Sequence, residues 1–404
     1  MSKQNKKRPF WLSLLAVLFL VLLRPSIVWP FMPIVDVAFA GFAIILFALN
    51  YPRKTKRETL LPSMVLFLVL IIYSLVSGDL QIFNILLFLI VFADDVVKED
   101  AFNYCHTALA ILFALSLVVA ALVLLGIEIP SEVIDPPNNI RPNKYLQYPF
   151  LTVTFYEEKD LMLMRFASVF DEPGVVGTLS ALFIVLDKYN FKKWQNYIFL
   201  AAGVLSFSFF FYLVFLVYAP FFMKVKNSAG FVIVLVLLMI VISIIETATD
   251  LDMLEHVLGR FEIKDGHLAG DNRTNPTFER AYEVFWNDGS NVLFGKGVGE
   301  HNKISIGLQS YKMMVYDLGI VYVLVSLLFF IVHGFMSLKN NLKAFILYTL
   351  LVLFFYYNRP AYLYTPPYFF LFIVAPLVLK SVKNKRPAIK RDEDKKDPLV
   401  LYSE

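Results

Sequence analysis

The chain has little of what holds soluble and secreted proteins together. One cysteine, Cys105, in 404 residues excludes an intramolecular disulfide. Charged residues make up only 17% of the sequence, against a hydrophobic share of 58% that includes 40 phenylalanines. A soluble domain of this length could not hide that much apolar surface. No set of His, Cys and Asp has metal-ligand spacing, so neither metal nor cofactor is expected. The basic start (Lys3, Lys6, Lys7, Arg8) precedes an apolar run, but Arg24-Pro25-Ser26 is not a small-x-small cleavage site. That run is therefore expected to remain as an anchor. The net charge of +4 comes largely from short basic loops and reports orientation, with no nucleic-acid partner implied. No internal repeat is visible.

Long apolar runs are plentiful. Phe10–Leu23, Leu60–Val76, Thr107–Ile127 and Phe231–Ile245 read as membrane helices, which makes the chain polytopic. With the basic N-terminus in the cytoplasm, spans near 10–28, 31–49, 60–77, 80–97 and 104–127 bring the chain to a long polar segment outside, 128–172. The next span begins at Pro173 and ends at Lys188, Lys192 and Lys193, inside. The run Tyr197–Phe222 crosses once as a tilted helix or turns back as two half-helices. A hairpin at Ser206-Phe207-Ser208 is preferred, because every later basic loop then also falls inside. A span near 230–247 leads out to a second polar segment, 248–310, and the last spans run near 311–333, 344–357 and 361–380. The expectation is an all-α bundle of about 12 segments over residues 1–382, with both termini cytoplasmic and a disordered tail over 383–404.

The two outer segments carry the chemistry. Arg165–Gly177 sets a cation and the carboxylates Asp171 and Glu172 at the mouth of the span that opens at Pro173. Charge is expensive beside a bilayer, so this cluster is a functional candidate. An acidic N-cap followed by proline also simply starts a helix. A carboxylate there is equally placed to act as a general base, an effect of about 10²–10⁴-fold. The second segment offers Arg273, Arg280 and His301 among aromatic and acidic residues. Arginine presents a planar fork to phosphate, and tyrosine and tryptophan present flat faces to sugar rings. Gly295-Lys296-Gly297-Val298-Gly299 lacks the terminal Lys-Ser/Thr of a nucleotide loop and reads as a flexible connection before a span.

The arrangement resembles the O-antigen polymerase and ligase superfamily of bacterial integral-membrane glycosyltransferases. Arg165–Gly177 resembles the family pattern R-x-x-G-x-F-x-x-P/E-P that opens a central span. Asp271-Asn272-Arg273 through Trp286 is similar to the outer-loop arginine followed by an amphipathic helix. Leu293–Gly299 resembles the P-L/F-x-G-x-G turn, and Tyr316–Ile320 the G-I/L span start. Two departures stand out. The hairpin turn Ser206-Phe207-Ser208 lacks the family's arginine, and His301-Asn302 lies too far from Gly319 for the ligase pattern, which favours a polymerase. The resemblance implies a GT-C-like membrane fold in the bacterial inner membrane. It implies growth of a glycan on undecaprenyl diphosphate at the outer face, without nucleotide or metal. Glu172 would be the base, with Asp171 or His301 as substitutes, and Arg165, Arg273 and Arg280 would hold the diphosphate. Membrane lipid, a flippase and a chain-length regulator are the implied partners. A ligase, or a non-enzymatic flippase of the same material, are the alternatives.

Overall fold

The computed structural model describes residues 3–31, 93–134, 144–156, 161–163, 165–223, 275–305 and 310–380, with a few isolated positions and two short strands besides. The expected spans near 31–49, 60–77, 80–97 and 230–247 lie almost wholly outside the described residues, as does the tail.

The described chain is mostly helical. Helix α1 covers Lys3–Leu22 and α2 Asp95–Leu124, the latter capped by Asp94, whose carboxylate accepts from the Val96 N–H at 2.8 Å. Helix α3, Pro173–Leu186, starts at its proline, as the sequence suggests, and every residue from Gly174 to Leu186 is buried. Helices α4, Trp194–Leu205, and α5, Phe209–Phe222, pack on either side of it. Beyond them lie the short helices α6, Pro276–Phe285, and α7, Gly289–Phe294. Three longer helices complete the bundle: α8 (Tyr311–Leu338), α9 (Leu342–Asn358) and α10 (Pro366–Lys380).

Aromatic rings fill the space between helices. Phe183 of α3 stacks on Phe199 of α4 at 5.2 Å and on Phe102 of α2 at 5.4 Å. Phe355 of α9 meets Phe372 of α10 edge-on at 4.8 Å. Such pairs add about 0.5–1.5 kcal/mol each beyond the area they bury.

Among the described residues, two helices, α2 and α8, are long and apolar enough to cross a membrane. Their outward side chains are apolar too: Ile111, Leu115 and Val118 form an exposed stripe on α2, and Leu324, Leu328 and Phe335 one on α8.

The segment 194–222 is a hairpin. Asn196, at the start of α4, donates to Asp187 at 2.7 Å and to the Asn190 carbonyl at 2.9 Å. At the other end of α4 the Leu205 carbonyl accepts from Phe166 N–H at 3.0 Å. Helix α5 then returns, and Tyr189 bonds the Phe215 carbonyl at 2.6 Å and stacks on Phe222. Twelve and fourteen residues make helices of about 18 and 21 Å. Both are shorter than a hydrocarbon core of about 30 Å.

One region corrects the all-helical expectation. The stretch 132–163, read from sequence as a polar loop, holds a four-stranded antiparallel sheet in the order β1 (Glu132–Ile134), β2 (Lys144–Tyr148), β3 (Leu151–Tyr156), β4 (Leu161–Leu163). The reason is local: Leu151-Thr152-Val153-Thr154-Phe155-Tyr156 is a β-branched and aromatic run, unsuited to a loop. The sheet is tied to the bundle where Thr152 N–H donates to the Ser168 carbonyl and its hydroxyl meets that of Ser26 at 2.8 Å.

Candidate functional site

Three constellations gather at one end of the helices, the end at which α3 and α8 begin and α9 finishes. Tyr311, first in α8, stacks on Tyr357, near the end of α9, at 6.0 Å. Two residues further on, Arg359 reaches Glu172, the residue before α3.

The Glu172–Arg359 pair is bidentate. Oε1 accepts from Nη2 at 2.6 Å and Oε2 from Nη1 at 3.1 Å. Glu172 occupies the N-cap position of α3, but its carboxylate makes no capping bond; it turns to the guanidinium instead. Arg359 is buried, and its guanidinium carbon sits 4.8 Å over the Tyr362 ring. Burial works against its charge, yet the Glu172 carboxylate more than offsets this and holds the guanidinium above its ordinary range. Asp171 stands half-buried beside them.

Arg165 lies across the hairpin turn. Its Nη2 donates to the Ser206 carbonyl at 3.2 Å and to the Phe207 carbonyl at 3.1 Å, at the C-terminal end of α4 where a cation is favoured. The turn that has no arginine of its own therefore receives one from forty residues away in sequence. Gly177 of α3 lets this turn approach, since a Cβ there would stand 2.2 Å from Ser208 Cβ.

The third constellation is His301 with Asp317. Asp317, buried on α8, accepts from the N–H of Gly299 and of His301, both at 2.9 Å, and from His301 Nδ1 at 2.5 Å. An ionised carboxylate only accepts, so Nδ1 carries a proton, and in the neutral imidazole Nε2 then has the lone pair. The glycine loop is clamped to the start of α8: Lys296 N–H donates to the Tyr316 carbonyl at 2.9 Å and Gly297 N–H to that of Asp317 at 3.0 Å. Two glycines make the approach possible. Gly319 breaks the helix at φ 78°, and a Cβ on it would lie 2.3 Å from the Leu293 carbonyl oxygen. Gly295, at φ 80°, would meet the Asp317 carbonyl oxygen at 2.1 Å.

The remaining arginines are placed less centrally. Helix α6 turns Phe278, Tyr282 and Phe285 onto Met313, Val315 and Tyr316 of α8, and Arg280 stands exposed on its other face. Arg273 lies outside the described residues. Among the described residues no three His, Cys, Asp or Glu side chains gather as metal ligands. Two residues of the site were not singled out from sequence. Arg359 falls in the short gap between the spans expected near 344–357 and 361–380, and Asp317 within the span start Tyr316–Ile320. Compared with known protein families, curated proteins and solved structures, the chain shows no match.

Proposed function

We propose that this chain is an integral-membrane glycosyltransferase that polymerises undecaprenyl-diphosphate-linked oligosaccharide repeats into a surface polysaccharide. It would work at the outer face of the bacterial cytoplasmic membrane, as a GT-C-like bundle of about 12 segments with both termini in the cytoplasm. The exposed apolar stripes of α2 and α8 support the membrane setting, because soluble monomers rarely expose large apolar faces. The observation that carries the chemistry is an imidazole oriented by a buried carboxylate, at the end of the bundle that also holds Arg165 and Arg359.

The geometry supports the following roles. Both oxygens of Glu172 are engaged by a guanidinium, whereas His301 is oriented by Asp317, so His301 takes precedence over Glu172 and Asp171 as base. Nε2 of His301 accepts the proton of a sugar hydroxyl on the acceptor repeat. That oxygen attacks the anomeric carbon of the donor glycan, and the bond from this carbon to the diphosphate oxygen breaks. The diphosphate leaves with its negative charge, which nearby guanidinium groups stabilise. The energy resides in the sugar–diphosphate bond. A flippase that delivers repeats and a regulator of chain length are the natural partners.

The test is the product left in cells. His301→Gln, in protein that still inserts, should lower chain growth by about 10²–10⁴-fold and leave single repeats on their final carrier. Long chains stranded on undecaprenyl diphosphate would instead identify a ligase. Single repeats trapped on the cytoplasmic side would identify a flippase.

A further inference from the structure

We infer that Arg359, the Tyr368 hydroxyl and the first turn of α3 form a diphosphate-binding site, which the Glu172 carboxylate occupies until a diphosphate displaces it. The proposed function supplies the source of the anion; the site itself stands on three features of the fold.

The first is the fork. The Arg359 side chain is 10% exposed and its planar guanidinium is filled by two carboxylate oxygens, the Glu172 side chain being 26% exposed. A diphosphate presents paired oxygens with the same geometry and more charge, so it competes for the same two nitrogens. Glu172 is the more exposed member of the pair.

The second is Tyr368, at the start of α10. It is 4% exposed, and its ring packs on Tyr362, the same ring that lies under Arg359. Its hydroxyl is buried and, among the described residues, has no hydrogen-bond partner. A buried donor whose ring shares Tyr362 with the guanidinium is a group that an anion oxygen would satisfy.

The third is Gly174. A Cβ at this position would lie 2.1 Å from Arg359 Nη2 and 3.0 Å from Glu172 Oε1. The absence of a side chain brings the guanidinium directly onto the opening turn of α3. The positive end of a helix favours anions. Pro173 has no N–H and the Val175 N–H bonds the Glu172 carbonyl at 3.0 Å, so Gly174 N–H is the donor this turn presents, and the Glu172 side chain does not cap it because it is engaged with Arg359. An arriving diphosphate thus meets a fork, a hydroxyl donor and a helix N-terminus together. No covalent bond changes in the exchange; one anion replaces another, and the Glu172 carboxylate is released as the diphosphate docks.

The experiment uses the full chain in phosphatidylcholine nanodiscs, titrated by calorimetry with inorganic diphosphate and, separately, inorganic phosphate. Wild type should prefer diphosphate. Glu172→Gln should tighten diphosphate binding by about tenfold or more, because the site no longer has to be vacated first. Tyr368→Phe should leave the ligand-free melting temperature unchanged or higher, yet weaken diphosphate binding by about tenfold. Because it removes only a hydroxyl with no partner, this variant keeps the test decisive should Glu172→Gln fail to fold. Wild-type affinity in Tyr368→Phe, or in folded Glu172→Gln, would overturn the site. So would equal affinity for phosphate and diphosphate, or loss of binding on adding phosphatidylglycerol, since either identifies a lipid-headgroup site. Diphosphate binding as described, in a protein whose loss leaves chain length normal, would keep the site and remove the polymerase reading.

Discussion

Two carboxylates lie at the same end of this bundle and are used in opposite ways. Glu172 meets a guanidinium that takes both of its oxygens, while Asp317 meets an imidazole and two backbone N–H groups. The first pair joins two opposite charges and occupies both carboxylate oxygens. The second pair puts a proton on Nδ1 and, in the neutral imidazole, leaves the Nε2 lone pair available for a proton. Residue type alone makes the two acids equivalent; the partner decides that one is a latch and the other an orienting group.

The sharpest way to break this contrast is Asp317→Asn. An amide can turn its N–H toward Nδ1, reverse the tautomer and leave Nε2 protonated. Chain growth should fall by about 10²–10⁴-fold, through kcat rather than KM, with a lower melting temperature, because the amide N–H group that faces Nδ1 also opposes the Gly299 N–H. A change in KM alone would assign Asp317 to the loop's shape and return the base role to Glu172. A smaller effect is expected from Gly319→Ala, which asks for a left-handed backbone against the Leu293 carbonyl. It should cost about 1–3 kcal/mol in denaturant unfolding and loosen the His301 loop, while leaving diphosphate binding at Arg359 intact. Equal loss at both sites would show that the two constellations move as one. The smallest effect belongs to Arg280→Ala. Its exposed place on α6 predicts a stability change within about 0.5 kcal/mol and unaltered diphosphate affinity, both readable from the same melts and titrations.

Much of the framework was legible. Pro173 marks the start of α3, and the reversal at Ser206-Phe207-Ser208 separates two helices too short to cross a bilayer separately. The resemblance named Leu293–Gly299 and Tyr316–Ile320 as separate motifs; that hydrogen bonds from Lys296 and Gly297 join them was not legible. The sheet over 132–163 was missed because its strands are short and half polar, so charge and aromatics drew attention before alternation did. The arginine missing from the hairpin turn was a false absence, since Arg165 reaches that turn from another segment.

The sequence by itself determined the elements: apolar runs, a proline-led helix, a glycine-rich loop and a surplus of phenylalanine, each a consequence of local composition. Only the tertiary structure decided which charges meet. Arg359 and Glu172 are 187 positions apart, and His301 and Asp317 are 16 apart, the second just before the break at Gly319 in α8. Periodicity places a side chain on a face, but pairing depends on how helices from distant parts of the chain pack, and packing is settled by contacts that no local pattern encodes.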